Sequence, residues 1–275
     1  MSKEELISDA YHPSQIARRV EDWGAAKKNI DTLTLVVLSV LAGAFISLGA
    51  LFFTVVVTKA SFGFGVSRSL GGLGFCLGLI LVVIGGAELF TGNNLLAMAW
   101  ADGRISSFDV LRNWGLVCLA NFVGAAGLAA LVFASGHTAL NGGAIGQQVV
   151  AIALAKQELA FWPAFFRGVL CNVLVCMAVW MAMAGRSVVD KAVAVIPPVM
   201  AFVAAGFEHS IANMYLMPLA MLVQHFGPAL PTASPLVSWG GMLGNLVPVI
   251  AGNLLGGSVL VGLTYYVIYG RAPRA

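Results

Sequence analysis

Long apolar stretches dominate the chain, and their lengths predict helices that cross a membrane. A transmembrane helix needs about 20 mostly apolar residues. Six stretches meet this requirement, at approximately 33–58, 66–100, 110–134, 160–184, 188–223 and 241–269. The second and fifth are too long for one simple helix, and Glu88 and Glu208 interrupt them. We therefore predict an all-α membrane protein with six transmembrane helices, of which helices 2 and 5 are broken.

The remaining segments are more polar and predict surface elements. Residues 1–30 are too polar for a secretory signal, and Ile16, Val20 and Trp23 recur at helical spacing. This apolar face is expected to lie on the membrane surface or across a pore entrance. The stretch 136–158 predicts a second short amphipathic surface helix. We divide the chain into an N-terminal segment (1–30), a transmembrane domain (31–270) and a tail (271–275).

Composition and charge support this division and give the topology. Hydrophobic residues make up 59% of the chain and charged residues 10%, against about 25% charged residues in soluble domains. A net charge of +3 gives no support for binding nucleic acid. Of 15 Lys and Arg residues, only Lys59, Arg68, Lys156 and Arg167 lie on the side opposite the termini. Both termini are therefore predicted to be cytoplasmic.

The four cysteines predict packing rather than chemistry. They lie in apolar runs, and no pair has zinc-site or redox spacing. Small buried hydrophobic side chains are the simplest interpretation. No metal or cofactor is predicted. An enzyme is not expected either, because the chain has neither a His-Glu-x-x-His nor a Gly-x-Ser-x-Gly motif.

Two matching motifs predict an internal duplication. "GAELFTGN" (86–93) and "GFEHSIAN" (206–213) both read G-x-E-x-x-x-x-N. Each is followed by a span with two asparagines, "RNWGLVCLANFVG" (112–124) and "GNLVPVIAGNLLG" (244–256). Because each half contains three spans, the halves must have opposite orientations, as in the inverted repeats of transporters. Irregular backbone at membrane depth must be buried in protein or line a cavity, so the motifs indicate the pathway.

The polar residues of these motifs differ in their expected roles. Glu88 and Glu208 are predicted to form the scaffold of the breaks with Asn93 and Asn213, accepting hydrogen bonds from backbone N–H groups that the breaks free. The paired asparagines of the following spans are expected to bond between helices. His209 has no counterpart, since Leu89 occupies the equivalent position. A structural histidine is the alternative, but an ionisable group at membrane depth is usually functional.

Longer motifs resemble a known family. "GGAELFTGN", "RGVLCNVLVCMAVWMA", "AGRSVVDKA" and "AGFEHSIANMYLMPLAM" are similar to the formate/nitrite transporter family, and to its bacterial formate channels in particular. The resemblance implies an aquaporin-like fold and a homopentamer embedded in the lipid of the bacterial cytoplasmic (inner) membrane. Each protomer would have its own pore for small monovalent anions such as formate, nitrite, hydrosulfide, acetate or lactate.

The resemblance also implies roles for individual residues. The central histidine would be His209, with Thr91 as its partner and Asn172 on the wall between two constrictions. The outer constriction would be Phe75 and Phe202. The inner constriction would be Leu79, Leu89, Phe90 and Val175. Arg167 departs from some formate channels, which are apolar there, and matches the basic residue of many other family members.

The functional prediction combines the resemblance with physical chemistry. Lys156 and Arg167 would lie near the outer mouth, where they either attract anions or extend to the membrane interface. Imidazole titrates near neutral pH, so His209 could offset the charge of the anion or pass a proton to it. We predict a pH-dependent channel or proton-coupled transporter for formate, with nitrite or hydrosulfide as the alternative. A neutral-solute facilitator is less favoured because Asn-Pro-Ala loops are lacking.

Overall fold

The regular structure is entirely helical across the residues that the computed structural model describes, 10–227 and 235–270. Short 3-10 turns occupy Gly92–Leu95 and His137–Ala139, and π-helical turns at Leu255–Leu263 and Tyr266–Gly270 continue the last helix. The α-helices are α1 (Pro13–Lys27), α2 (Thr32–Val57), α3 (Phe64–Gly85), α4 (Leu96–Ala101), α5 (Ser107–Ala134), α6 (Ala144–Gln157), α7 (Phe161–Ala184), α8 (Val188–Ala204), α9 (Ser210–Phe226) and α10 (Trp239–Leu254).

Five helices of the described ranges are long and apolar enough to cross a membrane. They are Thr32–Val57, Phe64–Gly85, Ser107–Ala134, Phe161–Ala184 and Trp239–Gly270. The stretch predicted as the fifth span, 188–223, is instead divided between α8 and α9, which have 17 residues each. The expectation of an all-helical, multi-pass membrane protein is confirmed.

Two chain turns with the same geometry follow α3 and α8. Gly86 has φ 76° and Gly206 has φ 75°, a left-handed conformation that favours glycine. After each glycine, the next amide donates back into the last turn of the helix, from Ala87 to Val82 O and from Phe207 to Phe202 O, both at 3.0 Å. The turns therefore end both helices in the same way, and an irregular segment follows each.

Glycines allow the longest helices to pack backbone against backbone. On α5, a Cβ atom added to Gly124 would lie 1.9 Å from Val40 O of α2. The same contact recurs after α10, where a Cβ atom at Gly256 would lie 2.2 Å from Val169 O of α7. Small residues at such crossings let membrane helices approach closely. The recurrence also aligns Val40 with Val169 and Gly124 with Gly256 in the two halves.

The amphipathic helix α1 packs onto the bundle rather than lying on the membrane surface. Ile16 and Val20 are buried in one cluster with Met98 and Trp180. Trp23, on the same apolar face, is only partly buried. The surface-helix interpretation of residues 136–158 is likewise wrong. Helix α6 buries its apolar positions, Val149 among them, against the core, mainly α9.

The Gly124 contact makes a testable prediction. Replacing Gly124 by Ala forces a methyl group into the Val40 carbonyl, so we expect a loss of about 1–3 kcal/mol in the free energy of unfolding. Thermal unfolding of the purified protein in detergent measures this. Gly127, on the exposed side of the same helix, has open space around its Cβ position. Gly127→Ala should therefore leave the melting temperature unchanged or raise it, and equal losses in both variants would contradict the packing argument.

Candidate functional site

Two cavities approach the irregular segments. The Arg19 cavity, of about 450 Å³, is lined by Arg19, Asp22, Trp23 and Lys191 and by the segment from Gly86 to Leu89. The Arg68 cavity, of about 220 Å³, is lined by Arg68, Lys156 and Arg167 and by the segment from Gly206 to His209. Among the described residues, the two cavities have no lining residue in common. The protein between them is therefore the barrier that any pathway must cross.

His209 and Thr91 meet inside this barrier, and both are buried. His209 caps the N-terminus of α9, where its Nδ1 accepts the Ala212 amide hydrogen at 3.2 Å. A neutral ring that accepts at Nδ1 carries its proton on Nε2. Nε2 lies 3.1 Å from Thr91 Oγ1 and therefore donates to it. This hydrogen bond joins the two irregular segments, and it leaves the Thr91 hydroxyl proton available to another acceptor.

Aromatic rings cover His209 on the side of the Arg68 cavity. Phe75 and Phe202 pack edge to face with ring centroids 5.7 Å apart, and Phe202 stacks on the imidazole at 5.9 Å. Both phenylalanines line that cavity. An anion in this cavity therefore lies against two apolar rings beside the histidine, which also lines the cavity.

The residues expected at the other constriction divide into two groups. Leu79 and Leu89 line the Arg19 cavity. Phe90 and Val175 do not line it, although all four residues are buried in the hydrophobic core, with exposed fractions of 1% to 2%. The barrier is thus apolar on both sides of the His209–Thr91 pair.

Each glutamate of the two motifs forms an ion pair, and the prediction of backbone donors was wrong. The Lys27 ammonium binds Glu88, which also accepts from Asn93 Nδ2 at 2.8 Å. Lys156 Nζ donates to both oxygens of Glu208, at 2.9 and 3.0 Å, and Asn213 Nδ2 donates to Glu208 at 2.7 Å. Helices α1 and α6 bring these lysines to the breaks. The carboxylates are therefore neutralised by lysines from outside the two motifs.

Asparagines satisfy the backbone groups freed at the first break. Asn121 Oδ1 accepts the amide hydrogen of Phe90 at 2.9 Å, and Asn121 Nδ2 donates to Glu88 O at 2.9 Å and to Ser39 O at 2.6 Å. Asn113 Oδ1 accepts from Asn93 Nδ2 at 2.9 Å. These contacts confirm that the asparagines bond between helices.

The second break repeats this arrangement. Asn253 Oδ1 accepts the Ser210 amide hydrogen at 3.1 Å, and Asn253 Nδ2 donates to Glu208 O at 3.0 Å and to Gly168 O at 2.8 Å. Asn245 Oδ1 accepts from Asn213 Nδ2 at 2.7 Å. The two halves therefore share one scaffold, bond for bond.

The basic residues at the Arg68 cavity have different roles. Lys156 is half-buried in its ion pair, whereas Arg167 is exposed. Arg68, which was not a predicted site residue, donates to Val203 O at 2.6 Å and to Ala204 O at 3.2 Å. These carbonyls end α8, where a cation is favoured by the helix dipole. The position of Arg68 in the sequence does not indicate this contact with the end of α8.

Asn172 is fully buried, and its amide nitrogen, with two hydrogens, lies within hydrogen-bonding distance of three acceptors. Its Nδ2 lies 3.2 Å from Thr91 O, 2.7 Å from Asn94 Oδ1 and 2.7 Å from Asn253 O. Its Oδ1 is buried without a hydrogen-bond partner in the described part of the chain. The expected wall residue therefore also ties Thr91 to the scaffold of the second break.

Known proteins share this architecture. The sequence profile of the formate/nitrite transporter family matches residues 14–267, nearly the whole chain. The chain belongs to this family. Among curated members, the formate channel FocA of Escherichia coli K12 is 39% identical over 273 residues, covering 96% of each chain. FocA of Haemophilus influenzae is 37% identical over 270 residues, covering 94% of this chain and 95% of the relative.

Solved structures of the formate/nitrite transporter family agree in fold. A pentameric formate channel with formate bound superposes with a TM-score of 0.82 at 40% identity, covering 87% of this chain and 98% of that one. An ion channel of the family superposes with a TM-score of 0.84 at 31% identity, covering 94% and 99%. The helical architecture is therefore that of transport proteins of the formate/nitrite transporter family.

The buried ion pair at the first break makes a prediction about stability. Lys27→Met leaves the buried Glu88 carboxylate without its cation and should cost about 3–5 kcal/mol of unfolding free energy. The double variant Lys27→Met/Glu88→Gln should lose less than the sum of the single variants. Unfolding in detergent, monitored by circular dichroism, completes this double-mutant cycle.

An exposed ion pair supplies the matched control. Asp22 and Arg104 lie 2.7 Å apart, with side chains 70% and 31% exposed. Asp22→Asn should change the unfolding free energy by less than about 1 kcal/mol. If Asp22→Asn lost as much unfolding free energy as Lys27→Met, burial would not explain the larger effect expected for the Lys27–Glu88 pair.

Proposed function

We propose that this protein conducts small monovalent anions, formate above all, between the Arg68 and Arg19 cavities through the barrier at His209. The observation that carries the proposal is the His209–Thr91 hydrogen bond, a buried polar pair in an apolar barrier between two cavities. Named relatives that are formate channels support formate as the first substrate. The basic residue Arg167 favours nitrite or hydrosulfide as the second candidate.

The assembly we propose is a homopentamer with a complete pathway in each protomer. The pentameric formate channel at 40% identity supports this state. Within the protomer, six membrane spans form an inverted repeat of three plus three, in which the second and fifth spans are interrupted. The matched hydrogen bonds of Asn121 and Asn253 support the duplication. With both termini cytoplasmic in the inner membrane, the Arg19 cavity is the inner vestibule and the Arg68 cavity the outer one.

Charge at the outer vestibule favours entry of an anion. Arg68 and Arg167 supply positive charge at its wall, while Lys156 neutralises Glu208. Without that ion pair, a bare carboxylate beside the path would repel the substrate. Opposite charge in a cleft raises the local concentration of an ion and its rate of entry. The ion pairs at the breaks thus keep the scaffold carboxylates from blocking the pathway.

Hydrogen-bond donors offset the loss of hydration inside the barrier. An anion that passes Phe75 and Phe202 loses water, which is costly in an apolar surrounding. The Thr91 hydroxyl and the Nε2–H of His209 can donate to it instead. The N-terminus of α9, which His209 caps, also attracts negative charge. The buried pair therefore provides a binding position between the two apolar constrictions.

Proton coupling through His209 follows from its two ring nitrogens. Uptake of a proton at Nδ1 breaks the bond from the Ala212 amide and gives an imidazolium ring. That cation attracts the anion, and release of the Nε2 proton to formate produces the neutral acid. A neutral acid crosses the remaining apolar constriction at a lower desolvation cost than the anion. The ring then exchanges its proton position before the next cycle.

Flux in liposomes tests the role of the histidine. We expect His209→Phe to assemble normally and to lose the pH-dependent part of formate uptake, by about tenfold or more, because a charged hydrogen-bond donor to the anion is removed. Thr91→Val should reduce the same part of the flux. Uptake of labelled formate over a pH series is the measurement.

His225 provides the matched control, since it lies on the same helix but is exposed. His225→Phe should keep the wild-type pH profile. A pH profile of His209→Phe identical to the wild type would remove the histidine from the mechanism. The transport proposal itself fails when neither formate, nitrite nor hydrosulfide moves faster than in empty vesicles.

A further inference from the structure

Outside the two motifs, a pair of packed positions differs between the two halves of the scaffold. The matched contacts align Val40 with Val169 and Gly124 with Gly256. In the same register, three residues after Val40 and Val169, Gly43 corresponds to Asn172. One residue after Gly124 and Gly256, Ala125 corresponds to Gly257. The first half thus has the pair Gly43 and Ala125 where the second half has Asn172 and Gly257.

The two pairs occupy equivalent space with large and small residues exchanged. A Cβ atom at Gly43 would lie 2.1 Å from Asn121 O, so the first half has no room for a side chain there. In the second half, Asn172 Nδ2 lies 2.7 Å from Asn253 O, the equivalent carbonyl oxygen. A Cβ atom at Gly257 would lie 2.4 Å from Asn172 Nδ2. Gly257 therefore makes the space that Asn172 fills.

The amide of Asn172 holds the backbone on both sides of the His209–Thr91 contact. Its nitrogen lies within hydrogen-bonding distance of Thr91 O and of Asn94 Oδ1. Asn94 Nδ2 in turn donates to the carbonyl oxygen of Phe90, the residue before Thr91. Through Asn253 the Asn172 amide is connected to the second break, because the Asn253 side chain bonds the backbone of the residues on either side of His209. One side chain thus connects the segment that carries Thr91 with the scaffold that carries His209.

We propose that Asn172 is a positioning residue that holds the Thr91 hydroxyl against His209 Nε2. The proposal deepens the function proposed above and rests on it, since Thr91 and His209 are the pair that binds the anion there. The symmetric scaffold fixes the carboxylates and the freed amides of both breaks. Asn172 adds the asymmetric restraint that only the half facing Thr91 needs.

A repeat-swap variant tests the proposal by giving the second half the residue types of the first, although a Cβ atom at position 257 would lie 2.8 Å from Asn94 Cβ and from Cys176 Sγ. Asn172→Gly combined with Gly257→Ala gives the second half the residue pair that the first half already packs at Gly43 and Ala125. We expect the purified protein to keep its oligomeric state and helicity. Formate uptake should fall about tenfold or more and lose its pH dependence, as in Thr91→Val, because displacing a binding group by about 1 Å can cost 10²-fold.

A spectroscopic measurement separates positioning from general damage. In protein labelled with 15N-histidine, the His209 Nε2 resonance, assigned by its loss in His209→Phe, reports the hydrogen bond to Thr91. In the repeat-swap variant it should shift to its position in Thr91→Val. Asn172→Leu, of similar size but without donors, should give the same shift and serves if the repeat-swap variant does not fold.

Cys171→Ala is the matched control, because it truncates the buried side chain adjacent to Asn172 on α7. It should retain the wild-type pH profile and resonance. A repeat-swap or Asn172→Leu variant that keeps both the wild-type profile and the resonance overturns the positioning role. Should Thr91→Val leave formate flux unchanged, the proposed binding role of Thr91 fails, and the resonance alone then decides whether Asn172 positions Thr91.

Discussion

The structure depends on how two interrupted helices satisfy their backbone inside an apolar environment. Lipid offers no hydrogen bonds, so each unpaired amide or carbonyl group at that depth costs several kcal/mol. Asn121 and Asn253 meet this constraint, since each accepts one freed amide hydrogen and donates to two carbonyl oxygens. Both breaks are held by the same bonds, and the positions of Thr91 and His209 follow from them.

A second constraint is charge. Glu88 and Glu208 are buried, and an unpaired carboxylate in such a place is strongly unfavourable. Each has a lysine and an asparagine as partners, which neutralise it and fix its orientation. The lysines come from α1 and α6, so these shorter helices supply charges that the buried carboxylates require. Their packing places Arg19 and Trp23 at one cavity and Lys156 at the other.

Within this symmetric scaffold, the polar residues of the candidate site lie at positions where the two halves differ. His209 replaces Leu89, and Asn172 replaces Gly43 in the register of the packed helices. The first difference supplies a ring that can donate a hydrogen bond or carry a proton. The second supplies the amide that bonds the backbone beside Thr91. Thr91 aligns with Ile211 and is a third difference, and together these differences give one polar contact in the middle of an apolar barrier.

Sequence patterns were sufficient to predict the elements that depend on local properties. Apolar length predicted the long helices, because a helix in lipid satisfies most of its backbone alone. The repeated motif marked both breaks, and the asparagines were correctly expected to bond between helices. The absence of a counterpart to His209 was also visible in the alignment of the two motifs.

The contacts between distant side chains, in contrast, depend on the packing of the whole bundle. Lys27 is far from Glu88 in the chain, and their pairing depends on how α1 packs across the bundle. Contacts between distant segments also explain three other differences from the sequence predictions. Helix α6 was expected at the surface, Arg68 was not expected at the site, and Asn172 was expected only on a pore wall. Amphipathicity shows that a helix has an apolar face, but the packing of neighbouring helices determines whether lipid or protein covers it.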